Sequence, residues 1–186
     1  MVAILINMDI IVCKYKENID WLEKIQGKKI IYNKDDFGNG IFTKNIGREA
    51  YVYLKYIYDN YDCLGIHSCF LQGNPFDHCC NLEMCMSAYN GGFMPLANQF
   101  TSCDNIGRPH HYLKIGELSN LLFGVDFERY EFAMGAQFIV EKDIILKRSK
   151  LFYKHCLTLC EIDYNMPWVM ERLWVKVFDE NIKSNF

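Results

Sequence analysis

Nowhere in the 186 residues does an apolar run approach the ~20 positions that a membrane-crossing helix needs. Met1 to Ile6 is apolar but lacks a basic flank and a small-residue cleavage site, so it reads as strand rather than signal peptide. A basic excess is also missing. Lys and Arg number 20 against 23 Asp and Glu, a net charge of −3, which argues against a nucleic-acid binder built on a broad basic face. A local basic pocket for phosphate groups remains compatible with that balance. Neither a Gly-Lys-Ser/Thr phosphate loop, nor Gly-x-Gly-x-x-Gly, nor a nucleophile elbow is present. Repeats, low-complexity tracts and linkers are absent too, so the expectation is one domain over 1–186. The nine cysteines are an odd number without secreted spacing, which points to reduced thiols, a cytoplasmic location and no disulfide framework. Cys79-Cys80 and Cys85 beside His78 lack the Cys-x2-Cys couples of structural zinc and read as buried thiols. His110-His111 reads as a surface loop.

What is present is core material and an α/β rhythm. Hydrophobic residues make up 51% of the chain, and a domain of this length buries roughly 70% of its unfolded surface. The continuous apolar run Asp9 to Cys13 suits a strand covered on both faces. A short helix carrying Trp21, Leu22 and Ile25, capped by Asn18 or Asp20 and stopped by Gly27, leads to a second strand, 29–33. This βαβ alternation predicts parallel pairing with a right-handed crossover. Residues 34–47 have loop chemistry. A helix over 47–61 follows, with Ala50, Leu54, Ile57 and Tyr61 as its buried stripe and Asn45 as N-cap. A third strand spans 66–71. Further on, the pattern predicts a short helix over 117–123, a strand over 133–140, helices at about 142–147 and 150–161, and a last helix opening at Pro167. The fold class expected is α/β: a mostly parallel sheet with helices on both faces.

In open α/β sheets, ligands bind at the carboxyl ends of parallel strands. Three such ends are polar here: Lys14-Tyr15-Lys16, Asn33-Lys34-Asp35-Asp36 and Gln72-Gly73-Asn74. Their order matches a nucleotide-sugar domain, with base and pyrophosphate at the first, base or ribose at the second, and sugar phosphates and any metal at the third. Gln72 to His78 places two amides, a carboxylate and an imidazole within one loop, and Pro75 restrains its turn. Either this loop is a ligand or sugar site, or Asn74 and Asp77 only satisfy their own backbone. Asn45-Ile-Gly-Arg48-Glu49 opens a helix, whose free N–H groups and dipole suit a phosphate, with Arg48 as a bidentate donor. Alternatively Asn45 only caps, Glu49 complements the dipole and Arg48 is solvated. Glu171 shares an apolar stripe with Trp168, Val175 and Phe178. It therefore sits in a cleft as a general base or in a salt bridge, to Arg48 or Arg172. Gln137, behind the small residues Gly135-Ala136, either meets a sugar hydroxyl or packs.

The segments Ile11 to Leu22, Tyr32-Asn-Lys34, Asn45 to Ala50, Tyr53-Leu54, Phe70 to Gly73, Gly135 to Val140, Phe152-Tyr153 and Glu171 to Trp174 resemble an uncharacterised domain family of fungi, bacteria and large DNA viruses. The resemblance spans about 9–178. More loosely, the first half is similar to GT-A-fold glycosyltransferases. That likeness implies a Rossmann-like sheet, a nucleotide-sugar donor, a glycan or other hydroxyl acceptor, and a host-cytoplasm location if the source is viral. It implies catalytic roles for Glu171, Asp77 and His78. Lys14, Tyr15, Asn33, Lys34, Asn45, Arg48, Gln72, Gly73, Asn74 and Gln137 would bind nucleotide and sugar. Gln72 and Asn74 stand where such enzymes carry metal-binding carboxylates. Amide oxygens bring no charge, so Mn or Mg should be held weakly, with Asp77 or His78 contributing.

Overall fold

The computed structural model describes residues 7–35 and 38–186. The strand read at Met1 to Ile6, and Asp36 of the second polar strand end, lie outside them. In chain order the elements are β1 (Met8–Lys14), a 3-10 turn at Asp20–Lys24, β2 (Lys28–Asn33), β3 (Ile41–Phe42), α1 (Arg48–Asn60), β4 (His67–Gln72) and α2 (Leu82–Ser87). The second half holds β5 (Phe93–Pro95), β6 (Phe100–Asp104), a 3-10 turn at His111–Leu113, α3 (Ile115–Phe123), β7 (Arg129–Ala133), β8 (Phe138–Glu141), α4 (Lys142–Ile145), α5 (Lys150–Ile162) and α6 (Met166–Val177). Among the described residues no helix is long and apolar enough to cross a membrane.

The mixed α/β expectation holds. Six strands form one sheet in the order β3-β2-β1-β4-β8-β5, and β6-β7 make a separate ribbon. β3, β2, β1 and β4 pair in parallel, and β8 runs antiparallel to both β4 and β5. The strands alternate between two apolar layers, as a period of two requires. Ile11, Phe70, Phe138 and Val140 face the core shared with α1, α3, α5 and α6. Ile10, Val12, Cys69, Leu71 and Ile139 face a smaller core closed by Leu22, Ile25, Leu82 and Met86. In the larger core the Phe138 ring centroid lies 5.0 Å from those of Phe70 and Trp174 and 5.2 Å from that of Phe178.

Several local expectations change. The segment after β1 is a 3-10 turn rather than an α-helix, although Asn18 Oδ1 does accept from Asp20 N at 2.7 Å. Gly27 does not end a helix. At φ +124° it lies against β1, where a Cβ would come 2.6 Å from the Met8 carbonyl oxygen. The loop at 34–47 contains the edge strand β3, too short to show a period. α1 opens at Arg48 with Gly47, at φ 59°, as the cap residue, so Asn45 is not the N-cap. The strand expected over 133–140 is divided, since Ala133 ends β7 and β8 starts at Phe138. Gly135 and Ala136 turn between them at φ 94° and 53°. The last helix begins at Met166, with Pro167 in its first turn.

Candidate functional site

β1 leads to β2 on one side while β4 lies on its other side, so the strand order reverses between β1 and β4. In open α/β sheets that reversal opens a crevice at the carboxyl ends of the two strands. A cleft of about 390 Å³ lies there, lined by residues that include Cys13 and Tyr15 at and beyond the end of β1, Lys34 after β2, Asn45, Arg48 and Glu49 at the head of α1, and Gln72 to Asn74, Asp77 and His78 at and beyond the end of β4. Tyr15, Lys34, Asn45, Arg48, Gln72, Gly73, Asn74, Asp77 and His78 are thereby brought together. A second chamber of about 190 Å³ shares Arg48, Glu49, Gln72 and His78 with the first. Gly135, Pro167, Trp168 and Glu171 complete it. A third cavity, about 600 Å³ between β5, the β6-β7 ribbon and α6, is mainly a wall of Phe93, Pro95, Phe100, Phe132 and Val175. Its Arg129 and Glu131 face each other at 3.8 Å, and it lies away from the strand ends.

Three expected site residues are not among those lining the cleft. Gln137 is 1% exposed, and its amide is used at both ends: Oε1 accepts from Gln72 N at 3.2 Å and Nε2 donates to Pro75 O at 3.1 Å. It clamps the loop after β4, a role fixed by long-range contacts that no local pattern shows. Asn33 is buried and accepts from Asp35 N through Oδ1 at 3.0 Å. Lys14 pairs with Asn33 in the sheet register and is not on the cleft wall. Asn74 Oδ1 accepts from Phe76 N at 3.4 Å, the backbone-satisfying role open to it, while the residue also lines the cleft.

Charge in the cleft is organised around the head of α1. Lys34, almost fully buried, donates through Nζ to the carbonyl oxygens of Ile46 and Arg48. Burial pulls its pKa down, against the pull of Cys13 and Glu49. Lys34 thus holds the turn that presents Arg48. The Arg48 side chain is 57% exposed, its Nε 3.6 Å from Glu49 Oε2 and its guanidinium carbon 5.3 Å from the Trp168 ring centroid. Glu49 is buried, and desolvation raises its pKa. Glu171 adds to the rise, while its own backbone N–H, Arg48 and Lys34 oppose it. The Cys13 thiol is pushed up to about 12 by burial, which makes it a poor nucleophile. Glu171 takes the cleft and the salt bridge together. Oε1 accepts from Gly135 N at 2.8 Å and Oε2 from Arg172 Nη1 at 2.9 Å. Of the two chambers, Glu171 lines the second and not the first.

Close packing fixes the loop after β4 from both sides. A Cβ on Gly73 would meet Glu17 Oε2 at 2.6 Å, and one on Gly135 would meet His78 Cγ at 2.4 Å. Trp21 Nε1 donates to Gly73 O at 3.0 Å. Sequence reasoning gave Glu49 only a helix-dipole role and passed over Glu17, Cys13 and Trp168 as wall residues. The position of Glu49 beside Arg48 was the available signal. All nine cysteines are free. Among the described residues no group of three or more His, Cys, Asp or Glu side chains converges as a metal site.

Residues 10–89 match the model of a family described as a protein of unknown function (DUF3431). The resemblance to an uncharacterised domain family is borne out over that span. No curated protein and no solved structure matches the chain. The matched span contains every described residue on the wall of the main cleft. Gly135, Pro167, Trp168 and Glu171 of the second chamber lie outside it.

Proposed function

We propose that the protein is a glycosyltransferase that moves a sugar from a nucleotide-sugar donor to a hydroxyl acceptor. The observation that carries this reading is the convergence of three parallel strand ends and the head of α1 on one cleft, from which a second, carboxylate-bearing chamber opens. A two-substrate reaction needs such a layout, with the leaving group in one compartment and the attacking group in the other. The strand order around β1, shared by doubly wound nucleotide-binding sheets, supports the donor assignment. Tyr15 offers a 40%-exposed ring to a base. Arg48 offers a planar fork to the diphosphate and stabilises charge on it as the glycosidic bond breaks.

The loop after β4 does not fit a resident metal. Gln72 and Asn74 bring neutral oxygens, Asp77 is the one carboxylate in that loop, and among the described residues no third acidic or imidazole partner converges. The cation opposite the diphosphate is therefore Arg48. This same donor set favours the alternative of a non-catalytic nucleotide- or sugar-binding protein on the same fold. A panel of UDP-glucose, UDP-galactose, UDP-N-acetylglucosamine and GDP-mannose, screened by thermal shift and by release of nucleoside diphosphate, with and without Mn, separates the two. Stabilisation with release supports transfer, and stabilisation without release leaves the binding protein. No shift with any of the four removes both. Calorimetry with Mn alone should show only weak binding, and tight binding to the free protein would contradict the reading of the loop.

A further inference from the structure

The two chambers meet along a short wall of four residues: Arg48, Glu49, Gln72 and His78. In a transfer reaction the anomeric carbon of the donor and the hydroxyl of the acceptor must meet where the compartments meet. The group that takes the hydroxyl proton must reach the same place. Asp77 touches only the first chamber and Glu171 only the second. Among the described residues, Glu49 is the one carboxylate on the shared wall. It is mostly buried, with its side chain 11% exposed, and Arg48 holds it from one side. Gln72 is neutral, and the ring of His78 is packed against Gly135.

We propose, resting on the glycosyltransferase reading, that Glu49 is the catalytic base and that the chamber over Pro167, Trp168 and Glu171 is the acceptor subsite. One Oε of Glu49 takes the proton from the acceptor hydroxyl. The hydroxyl oxygen forms the new bond to the anomeric carbon, and the bond from that carbon to the diphosphate breaks with its electron pair. The nucleoside diphosphate leaves beside Arg48. Glu171, anchored by Gly135 N–H and by Arg172, accepts a hydrogen bond from another acceptor hydroxyl. An aromatic ledge marks the acceptor as a sugar ring. Trp168 forms part of the chamber wall, and the ring of Tyr164, 82% exposed, has its centroid 5.2 Å from that of Trp168. A half-buried aromatic wall beside a carboxylate suits a ring that is apolar on its faces and hydroxylated on its rim.

The burial of Glu49 acts in the same direction, because a carboxyl with a raised pKa is a stronger base near neutral pH. Facing it are Cys13 and Lys34 from the strand ends, Arg48 and Tyr53 from its own helix, Cys160 from α5, Glu171 from α6 and His78 across the wall.

The test takes whichever donor of the four-member panel gives release and measures transfer to methyl β-glucoside, methyl β-galactoside and methyl α-mannoside. Glu49→Gln should lower kcat at least 100-fold while donor affinity stays within threefold, and it should abolish the acid limb of the pH–rate profile. Trp168→Ala should raise KM for the glycoside at least tenfold and leave donor affinity unchanged. Should Glu49→Gln misfold, Glu49→Asp replaces it, with a reduced kcat and a displaced acid limb expected. Full turnover by Glu49→Gln or Glu49→Asp overturns the base assignment, and His78→Gln abolishing turnover in its place moves the role to His78. An unchanged glycoside KM in Trp168→Ala overturns the subsite. If the wild-type protein binds donors yet transfers to none of the glycosides, the acceptor inference fails alone. If it neither binds nor cleaves any donor, the glycosyltransferase reading fails with it.

Discussion

Arg48 begins α1 with φ at +45°, in the left-handed region, where a non-glycine residue costs of order 1–3 kcal/mol unless its surroundings hold it. They do so here, because its carbonyl oxygen accepts from Lys34 Nζ and from Cys13 Sγ. Replacing Arg48 by alanine keeps that backbone demand and removes the guanidinium. Affinity for UDP, read by calorimetry, should then fall roughly 10–100-fold, as expected for lost hydrogen bonds to a charged group worth about 1.5–3 kcal/mol. An unchanged affinity would take the diphosphate away from Arg48. Glu49 gives a second test at this scale, with pH as the variable. Desolvation raises its pKa above the ordinary 4.5, so the folded chain holds this proton more tightly than the unfolded chain does. The stability it contributes is complete below 4.5 and is lost as pH rises through the folded-state value. Glu49→Gln should therefore melt above the wild type at pH 8, and the gap should close by pH 4. A variant that melts lower at pH 8 would mean that the Arg48 contact outweighs the burial.

At the scale of elements, the clamp by Gln137 links β8 to the end of β4 and the turn after it. Leucine at that position would leave Gln72 N and Pro75 O without their partner, at about 1–3 kcal/mol for each buried group. Thermal melts should show the loss of stability, and KM for the donor should rise as the loop loosens. A Gln137→Leu variant with unchanged melting point and KM would show that water replaces the amide at no cost. The role of Gln137 was hidden in the sequence because it depends on pairing across β4 and β8, which are far apart in the chain. What could be read were the features that repeat locally. The apolar runs of β1, β2 and β4 and the helical stripe of α1 sit within a residue or so of their expected places. Their polar ends could be assigned to the ligand edge because parallel order forces them to one side of the sheet. Short elements carry too few residues to show a period. β3, with two residues, and β5, with three, are visible only through the strands beside them. Gly135 and Ala136 were read as part of a strand, whereas their positive φ angles end β7 and turn the chain toward β8.

At the scale of the whole molecule, the larger core carries the architecture and the smaller one follows. Phe138 lies at its centre among Tyr53 of α1, Phe70 of β4, Phe93 of β5, and Trp174 and Phe178 at the end of α6. Phe138→Ala should cost about 3–5 kcal/mol in denaturant melts. A loss below 1 kcal/mol would mean that the neighbouring rings close over the gap. The same core sets the distance between α1 and α6, and through them the separation of Arg48 and Glu49 from Trp168 and Glu171. Both compartments of the cleft therefore share not only a wall but a frame. An occupant that fixes Arg48 in one compartment has already met part of the ordering cost for an occupant of the other. Binding in the two is then one thermodynamic cycle, and the factor by which a nucleotide tightens a glycoside must equal the factor by which that glycoside tightens the nucleotide.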